Sequence, residues 1–350
     1  MTRAVNSPVN QTGPLILGGD VGGTKTFLGI FRAGNSNAGA PLELLRAEKF
    51  SSPSASGLDE LIGNFLGAEA HNIGSACLGL PGPVAGQRVQ LVNLPWEVDA
   101  TALAARFGFR HAFLINDLVA NAYGIGELGP DDFTVLHEGE PTAGGNMAVI
   151  SPGTGLGEAG IFSDGSKLTP FACEGGHSDF APRNTTEIAL LDFLLREHDH
   201  VSYERVLSGS MGIPNLYRFL RDTGRGEESR EVAGQMQNSD TGAVITRAAL
   251  DGKCQLCAKT MDLFISILGA EAGNLALKTM ATGGVFIGGG IAGKILPLLR
   301  RPALLDAFFA KGRFGDFMRR IPLKVILNDQ AALLGAARHA LHGAVIMENR

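Results

Sequence analysis

Apolar residues fall in short blocks along this chain, and the blocks carry two periods. Residues 15–19 read as a buried strand and residues 26–31 as a second, which predicts a β-hairpin around Asp20-Val21-Gly22-Gly23-Thr24. A third strand is expected over 44–50, an amphipathic helix with a polar start over 56–70, and a strand over 75–80 that Pro81-Gly82-Pro83 ends. Strand, helix, strand implies parallel pairing within an α/β layer. A short helix at 100–107, a strand at 111–115 and a helical stretch at 118–123 follow, so Asn116 and Asp117 sit where a strand meets a helix.

The opening pattern then recurs. Residues 147–150 begin a strand, Ser151-Pro152-Gly153-Thr154-Gly155-Leu156-Gly157 turns it, and residues 158–162 run back. Two related halves, one per domain, is the economical reading. Helices are expected over 186–198, 202–208, 213–223, from 242 onward, and over 254–278, with a charged surface loop or frayed helix at 224–240. Residues 284–290 read as a strand plus a glycine turn, 325–327 as a last strand and 330–343 as an alanine-rich helix.

A length of 350 residues exceeds what one core usually holds, which favours two domains or one large α/β unit. A net charge of −5 gives no overall attraction to nucleic acid or to an anionic membrane. The longest uncharged apolar stretch, 279–293, is short of the roughly 20 residues that span a bilayer. Four cysteines and the absence of a signal-like start fit a reducing compartment, the cytoplasm by default. Cys254-x-x-Cys257 lacks a second metal-binding pair, and its flanks read as helix, so a metal or redox role is the minor reading.

Glycine turns bare backbone N–H groups that can cradle phosphate, and they also serve plain hairpin geometry. Two matched turns, Gly22-Gly23-Thr24 and Gly153-Thr154-Gly155, plus a third at Gly288-Gly289-Gly290, could hold two phosphates and back an adenosine. Asp20 beside the first turn could hold Mg2+ through water, or simply form the turn. Asp117 reads either as a helix cap or as a carboxylate that accepts a hydroxyl proton. Glu174-Gly175-Gly176-His177 suits polar groups converging on a small hydroxylated ligand, while Glu204 by spacing alone is an ordinary exposed helix acid.

Taken together, Asp20-Val21-Gly22-Gly23-Thr24, Ile115-Asn116-Asp117, the 153–157 turn, Glu174-Gly175-Gly176-His177-Ser178-Asp179-Phe180-Ala181-Pro182, Glu204-Arg205-Val206-Leu207-Ser208-Gly209 and the 283–290 segment resemble the bacterial glucokinase family, within the hexokinase and actin-like ATPase superfold. The resemblance runs in order from about residue 15 to the final helix. It implies an α/β fold of two actin-like (ribonuclease H-like) domains, each a mixed sheet with flanking helices, around a central cleft. Residues 1–127 with 332–350 would form the smaller domain and 128–331 the larger. It further implies ATP with Mg2+, transfer of the terminal phosphate to the 6-hydroxyl of glucose, and a homodimer. By position, Asp117 resembles the general base, and Asn93, Asn116, Glu174, His177 and Glu204 resemble ligands of the sugar. Gly22, Gly23, Thr24, Gly153, Thr154 and Gly155 resemble the phosphate loops, and Gly288, Gly289 and Gly290 the adenosine-side wall.

Three departures stand out. Lys25 follows the first turn where the family often carries asparagine, which makes that end of the nucleotide site more cationic. Pro152 removes one N–H beside the second turn. The zinc-binding cysteine cluster and DNA-binding segment of the related repressor branch are absent. Rival readings are a kinase for another hexose or an N-acylhexosamine, a non-catalytic sugar sensor, and an ATPase that binds protein; the convergent Asn, Asp, Glu and His set disfavours the last.

Overall fold

Both faces of the first sheet are apolar, and the order of its residues shows why. β1 (Leu15–Val21) sends Leu17 and Val21 into one buried cluster and Ile16 into another, and β2 (Lys25–Ala33) divides Leu28 and Ile30 from Phe27 and Phe31 in the same way. Alternation of side chains along a strand thus turns an unbroken apolar run into a strand covered on both sides.

The computed structural model describes residues 13–34, 39–67, 72–84, 86–91 and 94–348. The chain divides into two compact units, Met1–Leu128 with Gln330–Arg350, and Gly129–Asp329. In the first, β3 (Leu42–Ser51), β4 (Ile73–Leu80) and β7 (His111–Asn116) complete a sheet of order β3-β2-β1-β4-β7, with β5 (Arg88–Gln90) and β6 (Glu97–Asp99) as a separate two-stranded ribbon. β1, β4 and β7 are parallel, and β2 runs against β1 while β3 runs against β2, which makes β3-β2-β1 an antiparallel meander. α1 (Leu58–Leu66) and α2 (Ala100–Phe107) cover the Leu17 face, and α3 (Asp117–Ile125) and α14 (Ala331–Glu348) the Ile16 face. A two-pronged Arg338–Glu127 ion pair, 2.6 and 2.7 Å, ties α14 to the segment that follows α3.

The second unit is built on β8 (Phe133–His137), β9 (Met147–Pro152), β10 (Leu156–Ser163), β11 (Leu168–Cys173), β12 (Gly284–Ile287) and β13 (Leu323–Ile326), in the order β11-β10-β9-β12-β13-β8. Without β8 this repeats the first unit: an antiparallel meander, then two strands parallel to the first of the meander. The repeated glycine turns in the sequence are therefore a repeat of topology. Around this sheet the chain folds α4 (Thr185–Leu195), α5 (Glu204–Leu207), α6 (Gly212–Asp222), α7 (Arg230–Met236), α8 (Thr241–Leu250), α9 (Gln255–Thr279), α10 (Gly289–Ala292), α11 (Leu296–Leu299), α12 (Pro302–Phe309) and α13 (Gly315–Met318). α9 is apolar nearly all round because it is the buried centre of the helical layer.

Several local expectations change. The 224–240 segment contains a helix, α7, which decides between the loop and helix readings of its sequence. β9 runs on through Pro152, so the second turn is confined to Gly153–Gly155. Gly288 to Gly290 is no simple turn: Gly288 caps α10, and Gly289 and Gly290 open it. β11 escaped the sequence reading because it is an edge strand whose alternation Pro170 interrupts. Cys254 is a helix cap, its Sγ accepting the Cys257 N–H at 3.3 Å, and both cysteines are buried in the core. Among the described residues no group of three or more His, Cys, Asp or Glu could hold a metal ion, and no helix is long and apolar enough to cross a membrane.

Candidate active site

In the first unit the polar residues gather at the carboxyl ends of the parallel strands, where ligands of open α/β sheets bind. Asp20 lies near the end of β1, in register with Gly79 of β4, and Asn116 closes β7 in register with Leu80. A side chain at Gly79 would meet the Asp117 Cα at 3.5 Å, so Asp117 stands over the strand next to that of Asp20. Asn116, and not Asp117, caps α3: its Oδ1 accepts from Leu118 N–H at 2.9 Å and Val119 N–H at 3.2 Å, while its Nδ2 donates to Gly82 O at 3.1 Å. Asp117 occupies the first helical position, half-buried, with Oδ1 accepting from its neighbour Leu118 N–H at 2.8 Å. The positive end of α3 favours its ionised form.

The first glycine turn is held by a residue that sequence reading passed over. Ser52 Oγ donates to Gly22 O at 2.7 Å, Ser52 N–H donates to Thr24 O at 3.0 Å, and Gly22 N–H donates to Lys25 O at 2.9 Å. With its carbonyls tied back into the protein and the Gly22 N–H spent on Lys25 O, the N–H groups this turn can offer an anion are those of Gly23 and Thr24. Thr24 and Lys25 are exposed at its tip, and Gly23 lies between Gly22 and them. Asn93 lies outside the described residues.

The same device appears in the second unit. Gly153 O accepts from Gly209 N–H at 2.8 Å, Thr154 O from Ser210 Oγ at 2.7 Å, and Gly155 O from Gly153 N–H at 2.9 Å, so every carbonyl of the turn is engaged. Gly289, at φ +84°, packs its bare Cα against Pro152 O and Ser151 Oγ, which sets the start of α10 beside this turn; Gly290 is exposed next to it.

The two family segments of this unit are stitched together. Tyr203 N–H donates to Ser178 O at 3.0 Å, Phe180 N–H to Val201 O at 2.9 Å, and Asp179 and Ser202 form a β-bridge. That pairing carries the start of α5 to the Glu174–His177 loop. Glu204 Oε2 comes within 3.7 Å of His177 Nδ1, and a methyl group on Gly155 would overlap Glu204 Oε1. Glu204 is thus no free surface acid. It is only 20% exposed, wedged between the phosphate-type turn and His177, whereas Glu174 and His177 are open to solvent.

Sequence reading also missed Glu158. It is a buried acid in the middle of β10, under Gly175, and its signal was a charge inside an otherwise apolar strand.

Comparison with known proteins gives a consistent relationship. The family model for glucokinase matches residues 17–343. A glucokinase from Nostoc punctiforme is 41% identical, over 92% of this chain and 98% of its own. The crystal structure of a glucokinase from an Antarctic psychrotroph superposes with a TM-score of 0.81 at 29% identity, covering 94% of this chain and 99% of that one. A ROK family glucokinase from Streptomyces griseus, in complex with glucose and AMPPNP, shares the fold with a TM-score of 0.65 at 21% identity, over 94% and 100% of the two chains.

Proposed function

Because the chain belongs to the glucokinase family, we propose that it transfers the γ-phosphate of ATP to the 6-hydroxyl of glucose. The observation that carries this reading is Glu204, whose one carboxylate meets both the Gly155 turn and His177, so that a sugar ligand and a phosphate loop belong to one site. In this reading glucose is bound by Asn116, Asp117, Glu174, His177 and Glu204, with Asn93 as a further ligand. Asp117 accepts the 6-hydroxyl proton as the oxygen attacks phosphorus, held in orientation by Leu118 N–H. Glucose binding that completes the site would keep water from being phosphorylated in its place.

The turns at Gly22–Thr24 and Gly153–Gly155 hold the phosphates, Lys25 adds positive charge at the first, and the start of α10 at Gly288–Gly290 borders the adenosine. Mg2+ arrives with ATP. A single carboxylate at Asp20, with no multi-ligand cluster among the described residues, fits an ion carried mainly by phosphate and water. Bound there, it neutralises phosphate charge. The reading extends to a homodimer, tested by light scattering, and to a reducing cytoplasmic location, which the four unpaired cysteines support.

The test is ADP release from Mg-ATP by the purified protein without sugar and with glucose, mannose, fructose or N-acetylglucosamine. Strong glucose dependence over a low background is expected. Dependence on another sugar alone would reassign the substrate. No dependence on any sugar would overturn the kinase reading in favour of a sensor, or of an ATPase if ADP still appeared.

A further inference from the structure

Beneath the loop that carries Glu174 and His177 lies a carboxyl group to which no sugar or phosphate role falls. Glu158 points from β10 into the interior, 2% exposed, and its Oε1 has no hydrogen-bond partner among the described residues. The other oxygen meets the loop itself: a methyl group on Gly175 would overlap Oε2, so the carboxyl fills the space that the glycine leaves. Near Glu158 lies the fully buried Glu271 of α9, which accepts from Asn274 Nδ2 at 2.7 Å and pairs with Lys278 at 3.3 Å. Asn274 also donates to Tyr203 Oη at 3.1 Å, next to Glu204. Buried polar groups therefore lie under both sugar-binding segments of this unit, Glu158 beneath Gly175 and the Glu271–Asn274 pair at Tyr203.

Burial beside a second carboxylate favours the neutral acid over the ionised form. Burial, and then the charge of Glu271, push Glu158 up to about 8, with Lys278 pulling the other way. The groups that face it are Glu271 and Lys278 on α9 and Cys173 across the β10–β11 register, the last facing Glu174 as well. Tyr203, Lys311 and Arg183 border the network; burial raises the Cys173 thiol and lowers Lys311 to about 8.

We propose that Glu158 is a positioning residue for sugar binding, its protonated carboxyl being the support on which the 174–177 loop rests. Loss of that proton to solvent puts a second negative charge against Glu271 and under Gly175, and loosens the grip of Glu174 and His177 on glucose. This rests on the glucose-kinase reading above.

The test is calorimetric glucose binding without nucleotide, from about pH 6.5 to about pH 9, a range in which glucose itself does not titrate. For the unmodified protein Kd rises as one proton is lost, about tenfold at one unit above the midpoint. In E158Q, a neutral side chain of the same shape, the ratio of alkaline to neutral Kd stays near one. K278M removes the cation that favours ionised Glu158, so its midpoint moves to higher pH; a fall or no movement overturns the proposal, and this variant decides the matter if E158Q does not fold. Alkaline weakening that persists in E158Q would assign the effect to Lys311 or Cys173 and also overturn it. If the unmodified protein binds no glucose at any pH, the kinase reading fails on its own account. The His177 ring signals in 1H–13C NMR of sugar-free protein then decide for Glu158. An alkaline step present in the unmodified protein and absent from E158Q is expected, and any other pattern overturns the proposal.

Discussion

Asn116 does two structural jobs besides any contact with sugar, and they separate by mutation. Asn116→Ala removes the cap of α3, a loss of about 1 kcal/mol. It also leaves the half-buried Gly82 carbonyl without its donor, which costs about 1 kcal/mol more. With a urea slope of about 2 kcal/mol/M the unfolding midpoint falls by about 1 M. Asn116→Asp keeps the acceptor for Leu118 and Val119 N–H and loses only the donor to Gly82, so it falls about half as far. The single tryptophan, Trp96, is buried in the first unit, so its fluorescence reports this unit directly. Both variants also lose the Nδ2 hydrogen not used by Gly82, which weakens glucose binding about fivefold. An Asn116→Ala midpoint equal to that of the unmodified protein would refute the capping argument. Equal falls in the two variants would show that the Gly82 bond, and not the cap, holds this corner.

Other expectations follow from the same geometry. Gly155→Ala pushes Glu204 away from the turn, at a cost of about 2 kcal/mol in a charge-assisted contact, so KM for glucose rises by about 30-fold while KM for ATP changes less; a rise confined to ATP would sink the placement of Glu204. His339, packed against Phe113 and Tyr123, is lowered by burial, and then by His342, to about 4. Its folded pKa lies below the unfolded one, so stability is lost as pH falls from about 6.5 to about 4, by at most about 3 kcal/mol because the ring is only partly buried. His339→Phe should flatten that acid slope in Trp96-monitored unfolding, and an unchanged slope would assign it elsewhere. Cys254→Ser should keep the α9 cap and fold with no bound zinc by elemental analysis, whereas a metal lost on substitution would contradict the capping role.

Much of the fold was legible because the central strands of both sheets are buried and appear as apolar runs, and the paired glycine turns mark the repeat. What the sequence concealed were features set by distant residues. Ser52 braces a turn some thirty positions earlier in the chain. Glu204 reads as a surface acid until the pairing of residues 178–180 with 201–203 brings it to Gly155 and His177. The cap of α3 fell to Asn116 because the last residue of β7 keeps extended backbone angles, which aim its side chain at the first free N–H groups of the helix. The glycines at 288–290 look like a turn in sequence, yet the chain enters a helix there, since Gly289 can take its positive φ against Pro152.

The most direct test of the account is to compare the unmodified protein with Asp117→Asn, measuring glucose 6-phosphate formation from Mg-ATP alongside calorimetric glucose binding. A loss of about 100- to 10,000-fold in kcat is expected, with glucose binding still measurable. Near-normal turnover in Asp117→Asn would contradict it.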